Sequence, residues 1–307
     1  MPSGISIVIV SYHVRDLLRA CLASVFAQEI PGTEVIVIDN ASSDGTLQMI
    51  REEFPQVKLI ANEKNAGFSA ANNQGMQLAK GDFIFLLNPD TELRQGALQA
   101  MLDFAAREKE LFLLGPRLYN SDGSLQVSAW KSPGVWNTVS EALFLHRLLK
   151  VSEYPQEQFE KTFSPGMLSG AALFFPKTLF EKIGGLDPEL FWMEDADFSY
   201  RAANAGAKLV YFPAAEVVHH SGQSSKKNQK VVIANQLLSK LKYYRKHQSF
   251  FAFLIGALFC FLHIVSRIVL FGLAGIFSRR FAEKAGAYVF ALGKYFRYLF
   301  ANDKRVT

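Results

Sequence analysis

Four short, mostly apolar runs, Ile5–Val10, Glu34–Ile38, Val57–Ile60 and Phe83–Leu87, punctuate the N-terminal part of the chain. Each has the length and the aliphatic content of a strand buried on both faces, and they recur at intervals of roughly 25 residues, the room a crossover helix takes. Between them lie helical patterns at Val14–Gln28, with Leu17, Leu18, Cys21, Leu22 and Val25 on one side, at Thr46–Phe54 and at Phe68–Ala79. Strand, helix, strand in that rhythm predicts an α/β fold with a parallel sheet and right-handed crossovers. In such sheets ligands bind beyond the carboxyl ends of the strands. The residues there are Ser11-Tyr12-His13, Asp39-Asn40, Asn65-Ala66-Gly67 and Asn88-Pro89-Asp90. Asp, Asn, Gly and Pro are also ordinary turn formers, so any single one of these positions reads equally well as a turn. Four strands delivering polar groups to one rim point to a binding site.

Several activities drop out. No GxGxxG follows the first strand and no GxxxxGK[ST] occurs anywhere, which removes the dinucleotide fingerprint and the P-loop. An anionic nucleotide could instead be held through a cation, because a carboxylate such as Asp90 can share Mg²⁺ or Mn²⁺ with phosphate oxygens. The two cysteines, Cys21 and Cys260, are too far apart in sequence for a CxxC motif, a zinc cluster or a disulfide framework, and fit a reducing, cytosolic setting. The N-terminus lacks the basic segment, long apolar stretch and cleavage site of a signal peptide, so Met1 is read as the start of the folded chain.

The motifs resemble a known family. Ile7-Val8-Ile9-Val10-Ser11-Tyr12, then Val37-Ile38-Asp39-Asn40-Ala41-Ser42-Ser43-Asp44-Gly45-Thr46, then Asn65-Ala66-Gly67 and Asn72-Asn73-Gln74-Gly75, resemble the nucleotide-binding half of the family 2 glycosyltransferases. Leu87-Asn88-Pro89-Asp90 looks like their metal-binding DxD motif in NPD form. The likeness continues through Gly184-Gly185-Leu186-Asp187, Trp192-Met193-Glu194-Asp195-Ala196-Asp197 and His219-His220-Ser221-Gly222-Gln223-Ser224. It implies a GT-A fold, Rossmann-like with helices flanking a mostly parallel sheet, that transfers a sugar from a nucleoside diphosphate with inversion. It places Ser11, Tyr12, Asp39, Asn65, Gly67, Asn73, Asn88 and Asp90 on the donor, with Asp39 at the base, and assigns Asp90 to the metal. Asn88 stands where the first acid of DxD would be, which leaves one carboxylate and makes metal binding lean on the donor's own phosphates.

Residues Met193 to Ala205 read as a helix stopped by Gly206, with Glu194, Asp195 and Asp197 in its first turn. Acids there complement the helix dipole, and Asp197 with Arg201 forms an i,i+4 pair, which is a structural reading for Asp197. Asp195 lies about 200° around the helix from Asp197 and needs a separate explanation. An inverting transfer requires a general base for the acceptor hydroxyl, and a carboxylate beside an apolar wall such as Phe191, Trp192 and Met193 can be tuned for that task. The resemblance puts the family's catalytic base on Asp195. Trp192 and Glu194 are the candidate acceptor contacts. His219 and His220 end a predicted strand; His219 matches the family's HxxGxS pattern and is the candidate second metal ligand, beside the plainer reading of a satisfied polar residue. Residues Trp130–Ser164 have no regular period and read as an acceptor-facing insertion.

The charge is unevenly distributed. Residues 1–225 carry 18 Lys and Arg against 26 Asp and Glu, whereas residues 226–307 carry 15 against 2. The domain expectation is therefore a catalytic domain over 1–225, nucleotide-binding to about 120 and acceptor-binding from 121, followed by a basic, Phe-rich helical tail over 226–307. In that tail Leu237, Leu238, Leu241 and Tyr244 have helical spacing, and Phe250–Leu262 is thirteen residues without a charge. That is short of the roughly 20 residues needed to span a bilayer. Extension to Phe277 takes in His263, Ser266 and Arg267, and a central Arg costs about 2.5–3.5 kcal/mol on insertion scales. Interfacial helices or a shallow hairpin on an anionic membrane are expected, with a soluble oligomerisation pair as the alternative. No nucleic-acid module accompanies the basic charge.

The function expected is thus a membrane-associated, Mg²⁺- or Mn²⁺-dependent inverting glycosyltransferase on the cytosolic face of the plasma membrane. The tail and the late motifs look most like the bacterial rhamnosyltransferase branch, with dTDP-rhamnose as donor and a lipid-linked saccharide as acceptor in cell-surface polysaccharide synthesis. A UDP-hexose donor, a nucleotidyltransferase and a non-catalytic membrane scaffold are the alternatives.

Overall fold

The computed structural model describes residues 4–220 and 229–300. The chain divides into two units, one made of Met1–Ser132, Glu153–Pro188 and Glu194–Ser224, the other of Pro133–Ser152, Glu189–Met193 and Ser225–Thr307. The strands are β1 (Ile5–Ser11), β2 (Thr33–Asp39), β3 (Lys58–Ala61), β4 (Phe83–Leu87), β5 (Thr91–Leu93), β6 (Phe112–Tyr119), β7 (Leu125–Gln126), β8 (Ala129–Trp130), β9 (Met167–Leu168), β10 (Ala172–Pro176) and β11 (Lys208–His219). The helices are α1 (Arg15–Phe26), α2 (Thr46–Glu53), α3 (Phe68–Leu78), α4 (Ala97–Arg107), α5 (Val135–Ala142), α6 (His146–Leu149), α7 (Lys177–Ile183), α8 (Glu194–Asn204), α9 (Gln229–His247), α10 (Phe250–Gly275) and α11 (Arg279–Phe300).

In the first unit, nine strands among the described residues form one sheet, in the order β3-β2-β1-β4-β10-β6-β11-β5 with β7 paired to β6. The four predicted runs pair in parallel, Ile5 opposite both Thr33 and Phe83, so their carboxyl ends share one edge. β10 inserts antiparallel between β4 and β6, and β11 runs parallel to β6. The pairing explains the runs: every residue of β1 is buried, Ile5, Ile7 and Ile9 in one core layer and Val8 and Val10 in the other. Covering both faces of a parallel sheet removes aliphatic surface from water at about 25 cal/mol per Å².

The second unit is helical. α9, α10 and α11 pack through Leu237, Leu241, Ala257, Cys260, Ile264, Ala291 and Tyr295, and small residues at Ala257 and Ala291 let the helices approach. The Tyr295 hydroxyl donates to the Ala257 carbonyl at 3.0 Å. Arg267 is 6% exposed. Its guanidinium donates to the carbonyls of Ala142 at 3.0 Å and Glu141 at 2.6 Å, closing the C-terminus of α5 where unpaired carbonyls and the helix dipole call for a cation. The ring of Phe144 covers it at 3.6 Å. α10 is 26 residues long, with a mean hydropathy of 2.3 over its most apolar window. Its outward side chains include Phe250, Phe251, Leu254, Leu258, Leu270 and Leu273. Arg267, the charge within this apolar helix, is thus paired inside the unit by α5.

Candidate active site

The rim takes shape where β1 and β2 end. Asp39, the last residue of β2, is fully buried; its Oδ2 accepts the backbone N–H of Ser42 at 2.8 Å, and its Oδ1 has no hydrogen-bond partner among the described residues. The Ser11 hydroxyl at the end of β1 is likewise buried without a partner among them. A buried oxygen left unpaired costs about 1–3 kcal/mol, a cost that a ligand bonding there removes. The loops after β1 and β2 are fastened together: His13 N–H donates to Ser42 Oγ at 2.9 Å and His13 Nδ1 accepts from Ser43 N–H at 3.2 Å. Half-exposed Tyr12 lies against His13, ring centroids 4.3 Å apart. Asp44 secures the turn from the other side. Burial alone would raise its pKa, but the Thr46 hydroxyl and the backbone N–H groups of Arg15 and Thr46 outweigh that and hold the carboxyl below its ordinary range.

Asn65 and Gly67 shape the next loop. Asn65 Oδ1 accepts the Gly67 N–H at 2.8 Å, and the Asn40 side chain bonds Gly67 O, Ala66 N and Asn62 Nδ2. Asn40 is therefore the hub that ties β2 to the loop before α3. Asn73 has a positioning geometry: its amide donates to Leu186 O and accepts from Leu186 N–H, both at 2.8 Å. The neighbouring Gly185 must lack a side chain, since a Cβ there would sit 2.1 Å from Asn73 Oδ1. Arg201 holds the same loop, donating to Ile183 O and Gly185 O at 2.7 Å while its Nε bonds fully buried Asp197 at 2.6 Å. Asp197 thus has the structural role its spacing suggested.

Asp90 and His219 meet. Asp90 Oδ1 lies 3.4 Å from His219 Nε2, and both side chains are largely buried. The tautomer follows from the neighbouring amide. Gln126 Nε2 donates to Asn120 Oδ1 at 2.7 Å and to His219 O at 3.3 Å, so Gln126 Oε1 is the atom 2.7 Å from His219 Nδ1 and must accept its proton. That leaves His219 Nε2 as the ring atom turned to the Asp90 carboxylate. Two electron-rich atoms at that separation need a proton or a cation between or beside them. The donor set of one carboxylate oxygen and one imidazole nitrogen suits Mn²⁺ or Mg²⁺ that completes its shell with phosphate oxygens. Among the described residues no group of three His, Cys, Asp or Glu converges. Asn88 contributes backbone: its N–H donates to Ala171 O at 2.9 Å and its carbonyl accepts from Thr91 Oγ1 at 2.7 Å. His220 braces the site through Ser121 Oγ at 2.8 Å and Glu92 Oε1 at 2.6 Å. Ser221, Gly222, Gln223 and Ser224 lie outside the described residues.

Asp195 is the second residue of α8. Its Oδ2 accepts the Gly170 N–H at 3.1 Å and its Oδ1 the N–H of Ala196 at 2.8 Å. Burial raises its pKa, with the two backbone N–H groups pulling the other way. Gly170 permits the approach, because a Cβ there would lie 3.3 Å from that of Asp195. The adjacent Ala171 is the residue bonded to Asn88, so one dipeptide joins the β4 loop carrying Asp90 to the carboxylate at position 195. Sequence reasoning placed Asn40 on the rim without its hub role, and missed Gly170 and Gln126. Glu194 begins α8 in the first unit, whereas Trp192, 48% exposed, belongs to the helical unit with Phe191 and Met193. The bonds that hold Asp195 come from Gly170 and its own helix.

The chain has the fold of two solved structures: a mannosyltransferase from Pyrobaculum calidifontis in complex with GDP-mannose and Mn²⁺ (TM-score 0.59, 14% identity, 98% of this chain and 88% of that one), and S. aureus TarS 1–349 in complex with UDP-GlcNAc (0.57, 18%, 96% and 81%). That fold is GT-A. The model of glycosyl transferase family 2 matches residues 6–184, and the chain belongs to that family. An N-acetylglucosaminyl-diphospho-decaprenol L-rhamnosyltransferase of Mycobacterium tuberculosis is 34% identical over 242 residues, 73% of this chain and 78% of the relative. The protein is a glycosyltransferase, and the nucleotidyltransferase and scaffold alternatives fall away.

Proposed function

We propose that this glycosyltransferase moves L-rhamnose from dTDP-rhamnose, with inversion, to a saccharide carried on a lipid diphosphate, at the cytosolic surface of the plasma membrane in cell-surface polysaccharide synthesis. The observation that carries the reading is the pair of separate carboxylate sites, Asp90 facing His219 and Asp195 facing Gly170, joined through the Gly170-Ala171 dipeptide. The likeness to a rhamnosyltransferase acting on a decaprenyl-linked sugar supports the donor and the acceptor class.

Ser11, Tyr12, Asp39, Asn65 and Gly67 bind and orient the nucleotide, and Asn73 keeps the loop at Leu186 in place. Asp90 and His219 would hold Mg²⁺ or Mn²⁺, which would neutralise charge on the departing diphosphate. Asp195 removes the acceptor hydroxyl proton as that oxygen bonds the anomeric carbon and the carbon–phosphate oxygen bond breaks on the opposite face. A carboxyl whose pKa is raised, as here, is a stronger base than an ordinary surface carboxylate. Glu194 and Trp192 contact the acceptor. Residues 226–307 supply the membrane contact: an apolar face on α10 beside basic and aromatic residues of α11 suits an anionic lipid surface.

The test is a donor panel. Full-length protein in mixed micelles is given N-acetylglucosaminyl-diphospho-prenol with dTDP-rhamnose or a UDP-hexose, and the lipid product is weighed by mass spectrometry. Addition of one deoxyhexose, of inverted configuration by NMR, is expected from dTDP-rhamnose. Hexose addition from the UDP donor alone would replace the rhamnose reading with its competitor.

A further inference from the structure

A cavity of about 400 Å³ opens within the helical unit, lined by Glu141 of α5, Gln236 and Lys240 of α9, His263 of α10, Tyr288 of α11, and Trp192. Its size is that of a small-ligand site. Its charges are closed on themselves. Lys240 Nζ donates to both carboxylate oxygens of Glu141, at 2.8 and 2.5 Å. Burial, aided by the nearby Arg267 charge, pushes the His263 imidazole down to about 4, so it is neutral at physiological pH. A cavity without net charge gives a diphosphate little to bind. It gives hydroxyl groups a good deal: two carboxylate acceptors, an amide that both donates and accepts, and a His263 Nδ1 that is buried with no partner among the described residues.

Trp192 adds the surface. Its backbone sits at φ +72°, a region that costs a bulky residue of order 1–3 kcal/mol, and its indole is half-exposed rather than packed away. An aromatic face next to hydrogen-bonding groups is what a sugar ring, apolar on its C–H face and polar at its edge, requires. Covalent geometry also keeps Trp192 within about 11 Å of Asp195, three residues on.

We propose that this cavity is the subsite for the sugar ring of the acceptor, an uncharged pyranose stacked on Trp192 and bonded at its edge by Gln236, Glu141 and His263. The proposal rests on the reading of the protein as a transferase to a saccharide acceptor. Apart from Glu141, the residues named here (Trp192, Gln236, Lys240, His263 and Tyr288) all lie beyond residues 6–184, the part that the family model matches, so most of the subsite is built from the part of the chain that the shared pattern does not cover.

The test is binding of a soluble pyranose without turnover. The full chain in detergent is titrated with methyl N-acetylglucosaminide and, separately, with inorganic pyrophosphate, and tryptophan fluorescence is followed. A saturable response to the glycoside is expected, silenced in Trp192→Phe and weakened about tenfold or more in Gln236→Ala and Gln236→Phe, variants whose melting matches wild type. No response in the wild type, equal affinity in the Gln236 variants, or a response to pyrophosphate alone overturns the assignment. The same samples are melted with nucleoside diphosphate and Mn²⁺: a stabilisation there with no glycoside response sinks the cavity alone, whereas its absence sinks the donor reading, whatever the glycoside does.

Discussion

The rim of the sheet and the helical unit differ in how their charged side chains are matched. At the rim, interactions are left open: Asp39 Oδ1 and Ser11 Oγ lack partners among the described residues, and Asp90 Oδ1 stands 3.4 Å from His219 Nε2. In the helical unit the charges are matched internally, half-buried Lys240 on Glu141 and buried Arg267 on the end of α5, while apolar side chains of α10 point outward. On the proposed function, a polar, charged ligand completes the first arrangement and an apolar medium the second. A transferase that takes a water-soluble donor to a lipid-borne acceptor needs both.

The comparison can be broken at its strongest point first. Asp195→Asn is expected to cut turnover by about 10²–10⁴-fold, with nucleotide binding unchanged by thermal shift; a correctly folded variant retaining more than about a tenth of the activity would remove Asp195 from the role. The pH dependence has a definite sign. Because burial raises the Asp195 pKa in the folded state, ionising it costs stability, so wild type loses stability relative to Asp195→Asn as pH rises from the ordinary carboxyl range through the raised value. Activity falls on the acid side through that same raised value, and the acid limb of kcat/KM reports it. Next, Arg267→Met leaves the carbonyls of Glu141 and Ala142 without their donor and is expected to cost about 2–4 kcal/mol, read by chemical denaturation. An unchanged midpoint would show that closing α5 is not what keeps an arginine in α10. Smallest is the surface term: Lys284→Gln with Lys294→Gln should weaken binding to anionic vesicles by about 1 kcal/mol per charge, with little effect on neutral vesicles. Equal losses on both vesicle types would argue for an apolar contact only.

Much of the sheet was legible because buried parallel strands write themselves as local apolar runs. β1, β2 and β4 lie within a residue of the predicted positions and β3 one residue later. Local chemistry also marked the first turn of α8 and separated Asp195 from Asp197. The antiparallel insertion of β10 between β4 and β6 was not legible, since Ala172–Pro176 reads like any short apolar run and its partners are set by tertiary pairing. The same holds for Gln126, whose only signal is a place on a two-residue strand, and for Gly170, a glycine with no local motif. Both matter through contacts distant in sequence. Arg267 was read against a lipid background because its partners on α5 lie 125 residues earlier.

The account stands on a cation shared between Asp90, His219 and the donor diphosphate. Thermal shift of the full chain with a nucleoside diphosphate, with Mn²⁺ or with EDTA, in wild type, Asp90→Asn and His219→Ala, tests it most directly. Stabilisation that requires Mn²⁺ and is lost in Asp90→Asn is the result predicted, since binding to the native state stabilises it by mass action. Equal stabilisation in EDTA, or in Asp90→Asn, would contradict it.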